Sequence, residues 1–440
     1  MGLGTFGGGV GAVRFLVERG AVVTVTDLRS ADELAEPVAQ LADTPPAAWH
    51  LGGHRDEGFR DADLLVVSPA VPKDEPHLRI AREAGIPITS EMNLFWEHNR
   101  GRTVCVTGSN GKSTTAALTH ALLSAAIAAG EVFGPRCWLG GNIGRSLLPQ
   151  VDEIASDDWV VLELSSFQLE DLAPLKPAPC IAVVTNFSPN HLDRHGTVDA
   201  YRAAKQNILR WQTPDHLAVL NQDDPDVSRW PTAAKTLWFG ADSGGFDQRL
   251  LCDWLPIPGE HNLRNAQAAA RVAFALGASA DSIRRGLQEF QPLPHRLQFV
   301  DEHQGRRFYN DSKATTPEAV QLALASFDAP IVLLAGGYDK GIDLAPMARA
   351  IAERTKAVAL FGQTAATLET LVHQFNITGR VAIHRAANLA EAFAWAERQA
   401  AAGDIVLLSP ACASYDQFQN YEQRGEAFVQ KVQSLGNDPS

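Results

Sequence analysis

The chain has 440 residues, 45% hydrophobic and 20% charged, the composition of a globular protein with two to four domains of roughly 100–200 residues each. With 51 acidic and 38 basic residues, a net charge of −13 and no basic block, it offers no surface suited to nucleic acid or an anionic membrane. The 5 cysteines form no CxxC pair, which fits a reducing cytoplasm; no basic stretch leads into an apolar one at the N-terminus, so no signal peptide is expected, and no apolar run approaches the ~18–20 residues of a membrane span.

The chain opens on Gly2-Leu3-Gly4-Thr5-Phe6-Gly7, a GxGxxG pattern. A predicted strand over 22–26 follows, and Asp27 ends it. Read alone, this is a dinucleotide fingerprint and argues for an oxidoreductase. That motif needs a strand before its first glycine, and only Met1 stands there. The expectation is therefore that the natural product starts roughly 6–12 residues earlier, with an apolar first strand of typical length. A further strand is predicted over 63–67, and the polar stretch 97–102 marks a boundary.

Next comes an apolar strand over 103–107, then Thr107-Gly108-Ser109-Asn110-Gly111-Lys112-Ser113-Thr114, then a helix over 113–126. Strand, glycine loop and helix in that order form a phosphate cradle. Backbone N–H groups turn inward, the helix N-terminus adds partial positive charge, Lys112 reaches the phosphates, and the Ser113 or Thr114 hydroxyl is placed for Mg²⁺. The loop is shorter than the standard pattern, with two residues between Gly108 and Gly111. The stretch 126–137 reads as a surface loop. Glu163 lies in the apolar strand 159–164, where a carboxylate is costly unless paired or bound to a metal. Asn190-His191-Leu192-Asp193-Arg194-His195 follows the strand 180–185, so His191 sits at a strand's C-terminal end, where α/β sheets bind ligands. In the helix 198–209, periodicity alone makes Lys205 a solvated lysine. Asn262 and Asn265 share one face of the first turn of an alanine-rich helix over 262–276.

Gln291-Pro292-Leu293-Pro294 reads as a stiff linker. Beyond it, three loops follow strand-like runs. They are Tyr309-Asn310-Asp311-Ser312-Lys313-Ala314-Thr315, Gly336-Gly337-Tyr338-Asp339-Lys340-Gly341, and the segment 409–418 with Ser414. Three polar loops at strand ends suggest a binding rim. Further strands over 217–220, 331–334, 357–361 and 405–408 alternate with helices over 317–325 and 389–402. The fold class is therefore α/β with parallel sheets. Three domains are expected: a Rossmann-like domain over 1–98, a P-loop domain over 99–294 and a Rossmann-like domain over 295–440.

Taken together, GSNGKST (108–114), ELSSFQLE (163–170), NHLDRH (190–195), YRAAK (201–205), EHNLRN (260–265), PHR (294–296), NDSKAT (310–315) and SPACASYDQF (409–418) resemble the Mur ligase family, in family order and over almost the whole chain. The segments at 163–170 and 409–418 point to its D-glutamate-adding branch. The resemblance implies an ATP-dependent amide ligase of cytoplasmic peptidoglycan precursor synthesis. Its substrates would be UDP-N-acetylmuramoyl-L-alanine and D-glutamate, and its state a monomer. It implies that Gly108, Ser109, Asn110, Gly111, Lys112, Ser113 and Thr114 hold the ATP phosphates, and that Asn262, Asn265, Arg296 and Asp311 contact ATP. Glu163, with Ser113, would bind one Mg²⁺. His191 and Lys205 would serve a second, with Lys205 carried as a carbamate. Thr5, Phe6, Asp27, Arg29 and Asn142 would face the UDP substrate. Lys313, Thr315, Lys340, Ser414 and the backbone around Tyr421 would receive D-glutamate. A relative adding another amino acid or acting on folate is the nearest alternative. A nucleotide-binding regulator without chemistry is a third reading.

Overall fold

Short aliphatic runs form strands, and the amphipathic stretches between them form the covering helices, in a computed structural model that describes residues 1–4, 7–144, 146–241, 248–377 and 379–436. Two compact units result: Met1–Trp254 with Arg264–Glu289, and Leu255–Leu263 with the chain from Phe290 onward. No helix among the described residues is long and apolar enough to cross a membrane.

The first unit begins with two separate parallel pairs. Strand β1 (Thr24–Asp27) pairs with β2 (Ala48–Leu51), and β3 (Leu65–Val66) pairs with β4 (Ile88–Thr89). β1 starts two residues later than the sequence suggests, and Val22 is left exposed. The expected central strand has a short counterpart. The Met1 amine donates to Val66 O (2.8 Å), Ser68 N to Met1 O (3.0 Å) and Gly2 N to Thr26 O (2.8 Å). Met1 and Gly2 thus bridge the two pairs, and burial lowers the Met1 amine to about 6. The helix Gly8–Glu18 follows, with Phe15 packed among residues of the next sheet's core.

That sheet contains β5 (Arg102–Thr107), β6 (Cys137–Gly141), β7 (Trp159–Glu163), β8 (Ile181–Val184), β9 (Leu217–Asn221) and β10 (Lys235–Phe239), all parallel, in the order β10-β9-β8-β5-β7-β6. Helices cover both faces, so the central strands are apolar throughout rather than alternating. Val160, Val161 and Leu162 are fully buried, each worth about 1.5–3 kcal/mol of transfer free energy. β5 lies between β7 and β8: the chain leaves it for the β6 edge, returns to β7 and then crosses β5 to β8, so the winding changes direction beside β5. Such a change of direction is where α/β sheets bind ligands, and the Gly108 loop follows the C-terminal end of β5 there.

The second unit holds β11 (Gln298–His303), β12 (Arg306–Asn310), β13 (Ile331–Gly336), β14 (Thr355–Phe361), β15 (Ala382–Arg385) and β16 (Ile405–Leu408). β11 and β12 form an antiparallel hairpin closed by Gln304 and Gly305, both at positive φ (52° and 75°), as a tight two-residue turn demands. The rest is parallel in the order β12-β16-β13-β14-β15. Insertion of β16 between β12 and β13 sets the three polar loops on neighbouring strands. The rim inferred from sequence is therefore contiguous in space.

Candidate active site

The phosphate loop is shaped by two glycines. Gly108 (φ 149°) and Gly111 (φ 79°) lie at positive φ, and a Cβ would strike Thr185 Oγ1 at the first and Asn265 Oδ1 at the second. The loop is anchored from the neighbouring strand end. Asn110 N donates to Asn186 Oδ1 (2.8 Å), and Asn110 O accepts from Thr185 Oγ1 (2.6 Å) and Asn186 Nδ2 (3.0 Å). Ser109 Oγ donates to Ser188 O at 2.8 Å and lies 3.2 Å from the Tyr201 hydroxyl. Lys112 curls over the loop and donates to Gly108 O (3.1 Å) and Ser109 O (2.9 Å). The helix Lys112–Ala128 starts here, with Ser113 and Thr114 buried in its first turn. Asn265, in the helix Glu260–Ala275, accepts from the Thr115 hydroxyl at 3.2 Å, which puts its amide beside the loop.

Glu163 ends β7 with only 2% exposure. Its Oε1 accepts from Asn142 Nδ2 at 3.1 Å, while its buried Oε2 has no hydrogen-bond partner. A buried carboxylate oxygen left unpaired costs about 1–3 kcal/mol or more, so this oxygen suits a cation. Asn142, expected at the UDP substrate, is joined to Glu163 twice, since its N also donates to Glu163 O at 2.8 Å.

Lys205 corrects a reading from periodicity. It is 1% exposed rather than solvated, because the helix Val198–Gln206 packs beneath the loop. Its Nζ donates to Gly108 O at 2.7 Å and sits 4.8 Å over the Tyr201 ring. Burial, then the Lys112 charge, holds this amine well below the usual lysine range, against the pull of Glu163. His191 has left-handed backbone (φ 53°) and an exposed side chain, with its ring edge-on to Phe167 at 5.2 Å.

In the N-terminal part, buried Asp27 accepts from Gly4 N (3.4 Å) and Arg29 N (2.9 Å), and the Arg29 guanidinium lies 3.5 Å away. The carboxylate therefore tethers the glycine loop. Thr5 and Phe6 lie outside the described residues.

In the second unit, Asn262 is buried in the first turn of its helix and donates from Nδ2 to Pro258 O at 2.7 Å. Arg296 lies between two residues of left-handed backbone, His295 (φ 63°) and Leu297 (φ 40°). Asp311 holds this strained turn, accepting from Leu297 N (3.1 Å) and from the Ser409 hydroxyl (2.7 Å). Burial pushes the Asp311 carboxyl up to about 7, against those hydrogen bonds and Arg296. Lys313 Nζ lies 5.3 Å over the Tyr421 ring, and the Ser312 hydroxyl donates to Tyr421 O at 2.8 Å. Lys340 and Thr315 line one small depression with Tyr338 and Cys412, whereas Ser414 is buried.

Sequence reasoning missed several of these contacts. Thr185, Asn186, Thr115 and Tyr201 support the phosphate loop. Arg424, fully buried, donates to Ser312 Oγ (3.0 Å), Ser312 O (2.8 Å), Cys412 O (3.0 Å) and Ala413 O (3.2 Å), holding two rim loops together. Tyr201 carries a readable signal, because it stands four residues before Lys205 on the same helix face. Arg424 has none, since an arginine amid polar residues reads as exposed.

Three consecutive domains match the chain: the Mur ligase MurD-like N-terminal domain over 1–90, the Mur ligase middle domain over 106–250, and the Mur ligase glutamate ligase domain over 295–412. A UDP-N-acetylmuramoylalanine–D-glutamate ligase of Symbiobacterium thermophilum is 41% identical over 447 residues, covering 96% of this chain and 95% of the relative. One from a Roseiflexus species is 41% identical over 468 residues, covering 99% and 98%. Among solved structures, a UDP-N-acetylmuramate-alanine ligase from Thermotoga maritima superposes with a TM-score of 0.64 at 19% identity, over 99% of this chain and 98% of that one. That last likeness is one of fold. On the domain matches and the near-full-length relatives, this three-domain α/β chain belongs to the Mur ligase family.

Proposed function

We propose that the protein is the ATP-dependent ligase that joins the alanyl carboxylate of UDP-N-acetylmuramoyl-L-alanine to the amine of D-glutamate, in cytoplasmic peptidoglycan precursor synthesis. The observation that carries this reading is the buried pair beside the phosphate loop: Glu163 with its unpaired Oε2, and Lys205 with its depressed amine. A carboxylate and an ammonium at neutral pH form a salt, so the carboxylate must first be activated. Its oxygen attacks the γ-phosphorus of ATP, ADP leaves, and an acyl phosphate results. The deprotonated amine then attacks the acyl carbon, and phosphate leaves through a tetrahedral intermediate. Both steps gather negative charge.

The chain's own groups meet that charge. Lys112 would leave its loop carbonyls for the transferring phosphoryl group, and the loop N–H groups would hold the other phosphates. Glu163 and Ser113 are oxygen donors that fit Mg²⁺, and His191 with a carbamylated Lys205 would serve a second ion. Bound there, Mg²⁺ would neutralise the phosphoryl oxygens. A neutral buried amine is the form of lysine that adds CO₂, and the resulting carbamate supplies an anionic oxygen. Asn262, Asn265, Arg296 and Asp311 would contact ATP. Asp27, Arg29 and Asn142 would face the UDP substrate. Lys340 and Lys313 would meet the carboxylates of D-glutamate, with Thr315, Ser414 and the Tyr421 backbone supplying neutral donors and acceptors.

The test is phosphate release with UDP-N-acetylmuramoyl-L-alanine against a panel of D- and L-amino acids. Release only with D-glutamate is expected. Equal release with L-glutamate, L-alanine or a diamino acid would replace this reading with another ligase of the family.

A further inference from the structure

Arg194 is used by nothing above, yet it makes three long-range hydrogen bonds. It lies in the short helix Leu192–His195, directly after His191 and its left-handed turn. Its Nη1 donates to Ala70 O (3.0 Å), and its Nη2 to Pro69 O (2.9 Å) and Val71 O (3.2 Å). Three consecutive carbonyls thus turn toward one guanidinium. Only a planar fork of donors spans such a set, and an ammonium does not. The guanidinium also rests 4.8 Å over the Phe167 ring. The same ring stacks on His195 (5.0 Å, 6° between planes) and meets His191 edge-on. Phe167 belongs to the helix Ser166–Leu172, which begins three residues after Glu163.

The other end of the contact is equally placed. Ser68 N donates to Met1 O, and a Cβ on Gly2 would lie 3.0 Å from Ser68 Cβ. The loop 68–71 therefore packs against the start of the glycine loop. A second tie, from Lys73 just beyond this loop to Asp171 in the Phe167 helix, lies nearby, but its lysine is half exposed and such pairs contribute little.

We propose that Arg194 is a positioning residue that couples the two sites: it clamps the loop bordering the UDP-substrate site to the segment carrying His191, so that UDP substrate and Mg²⁺ each tighten the other's binding. This rests on the ligase reading. Linkage makes the effect reciprocal: the factor by which Mg²⁺ tightens the UDP substrate equals the factor by which the substrate tightens Mg²⁺, and loosening the clamp lowers both together.

The experiment is calorimetric titration of the full chain with UDP-N-acetylmuramoyl-L-alanine, without ATP, with and without MgCl₂. ATP is titrated separately. In the wild type, Mg²⁺ should tighten substrate binding. Arg194→Ala should weaken substrate binding roughly 5- to 50-fold and remove the Mg²⁺ effect, with ATP affinity changed by less than about two-fold. Arg194→Lys, which keeps the charge, should restore little, whereas Lys73→Ala should cost less than either. If Arg194→Ala does not fold, Arg194→Lys is read by hydrogen exchange, where the amides of Ser68, Ala70 and Val71 should exchange faster than in the wild type. Substrate affinity within two-fold of wild type, an equal loss for ATP, full rescue by lysine or unchanged exchange would each overturn the coupling alone. A wild type that neither binds the UDP substrate nor releases phosphate with it would overturn the ligase reading and the coupling with it.

Discussion

Replacing Asp311 with asparagine separates a ligand contact from a scaffold residue, because it should raise stability while lowering activity. The carboxyl is buried, accepts from Ser409 Oγ and Leu297 N, and is pushed from an ordinary 3.8 up to about 7. A raised acid in the folded state contributes stability that is complete below the unfolded value and is lost as pH rises through about 7. Three decades of proton affinity at ~1.4 kcal/mol each make that loss roughly 4 kcal/mol. At pH 5 the folded side chain is protonated and nearly isosteric with asparagine, but the unfolded one is already ionised, so just over one decade of that loss has occurred and Asp311→Asn should be the more stable by only about 1.7 kcal/mol. At pH 8.5, Asp311→Asn should be the more stable by up to roughly 4 kcal/mol. The assay is urea unfolding of both proteins at the two pH values, with ATP titrations alongside. An equal stability difference at both pH values, or a wild type that is the more stable at pH 8.5, would refute the reasoning. A gain in stability with unchanged ATP affinity would remove Asp311 from the site.

Lys112→Ala should reduce phosphate release to near background while the melting temperature holds, since the loop's shape comes from its glycines and from Thr185 and Asn186; a purified variant with near-normal turnover would sink the assignment. Lys205→Ala should lose most activity and regain part of it with added short carboxylic acids, which stand in for the carbamate; full activity without them would count against the carbamate. Lys340→Ala should raise the KM for D-glutamate roughly ten-fold or more, with little change for ATP, as expected when a cation facing a carboxylate is removed; equal effects on both KM values would point to a general closure role. Wild-type activity should also fall when CO₂ is stripped from the buffer and return with bicarbonate, and indifference to both would argue against carbamylation.

How much of this was legible in the sequence depends on whether a signal was local. The phosphate loop was legible because strand, glycines, lysine and helix occur in one run, and each has a single physical purpose. The central strands were legible for the same reason: 159–162 and 331–335 are buried on both faces and read as unbroken apolar runs. The edge strands Cys137–Gly141, Lys235–Phe239 and Ala382–Arg385 were not, because polar residues and glycines interrupt their apolar character and pairing with one neighbour sustains them. The hairpin at Gln304-Gly305 was missed because glutamine is an unusual residue for left-handed backbone. In the site, Lys205 shows the limit of periodicity. A lysine on a short amphipathic helix is ordinarily solvated, and only the path of the Gly108 loop over that helix buries it. Glu163 shows the opposite case. Its place in an apolar strand already required a partner, and the structure leaves one oxygen facing none. The functional groups that sequence reveals are those that break a local rule, while those that obey one, such as Arg194 and Arg424, become visible only once the chain has folded around them.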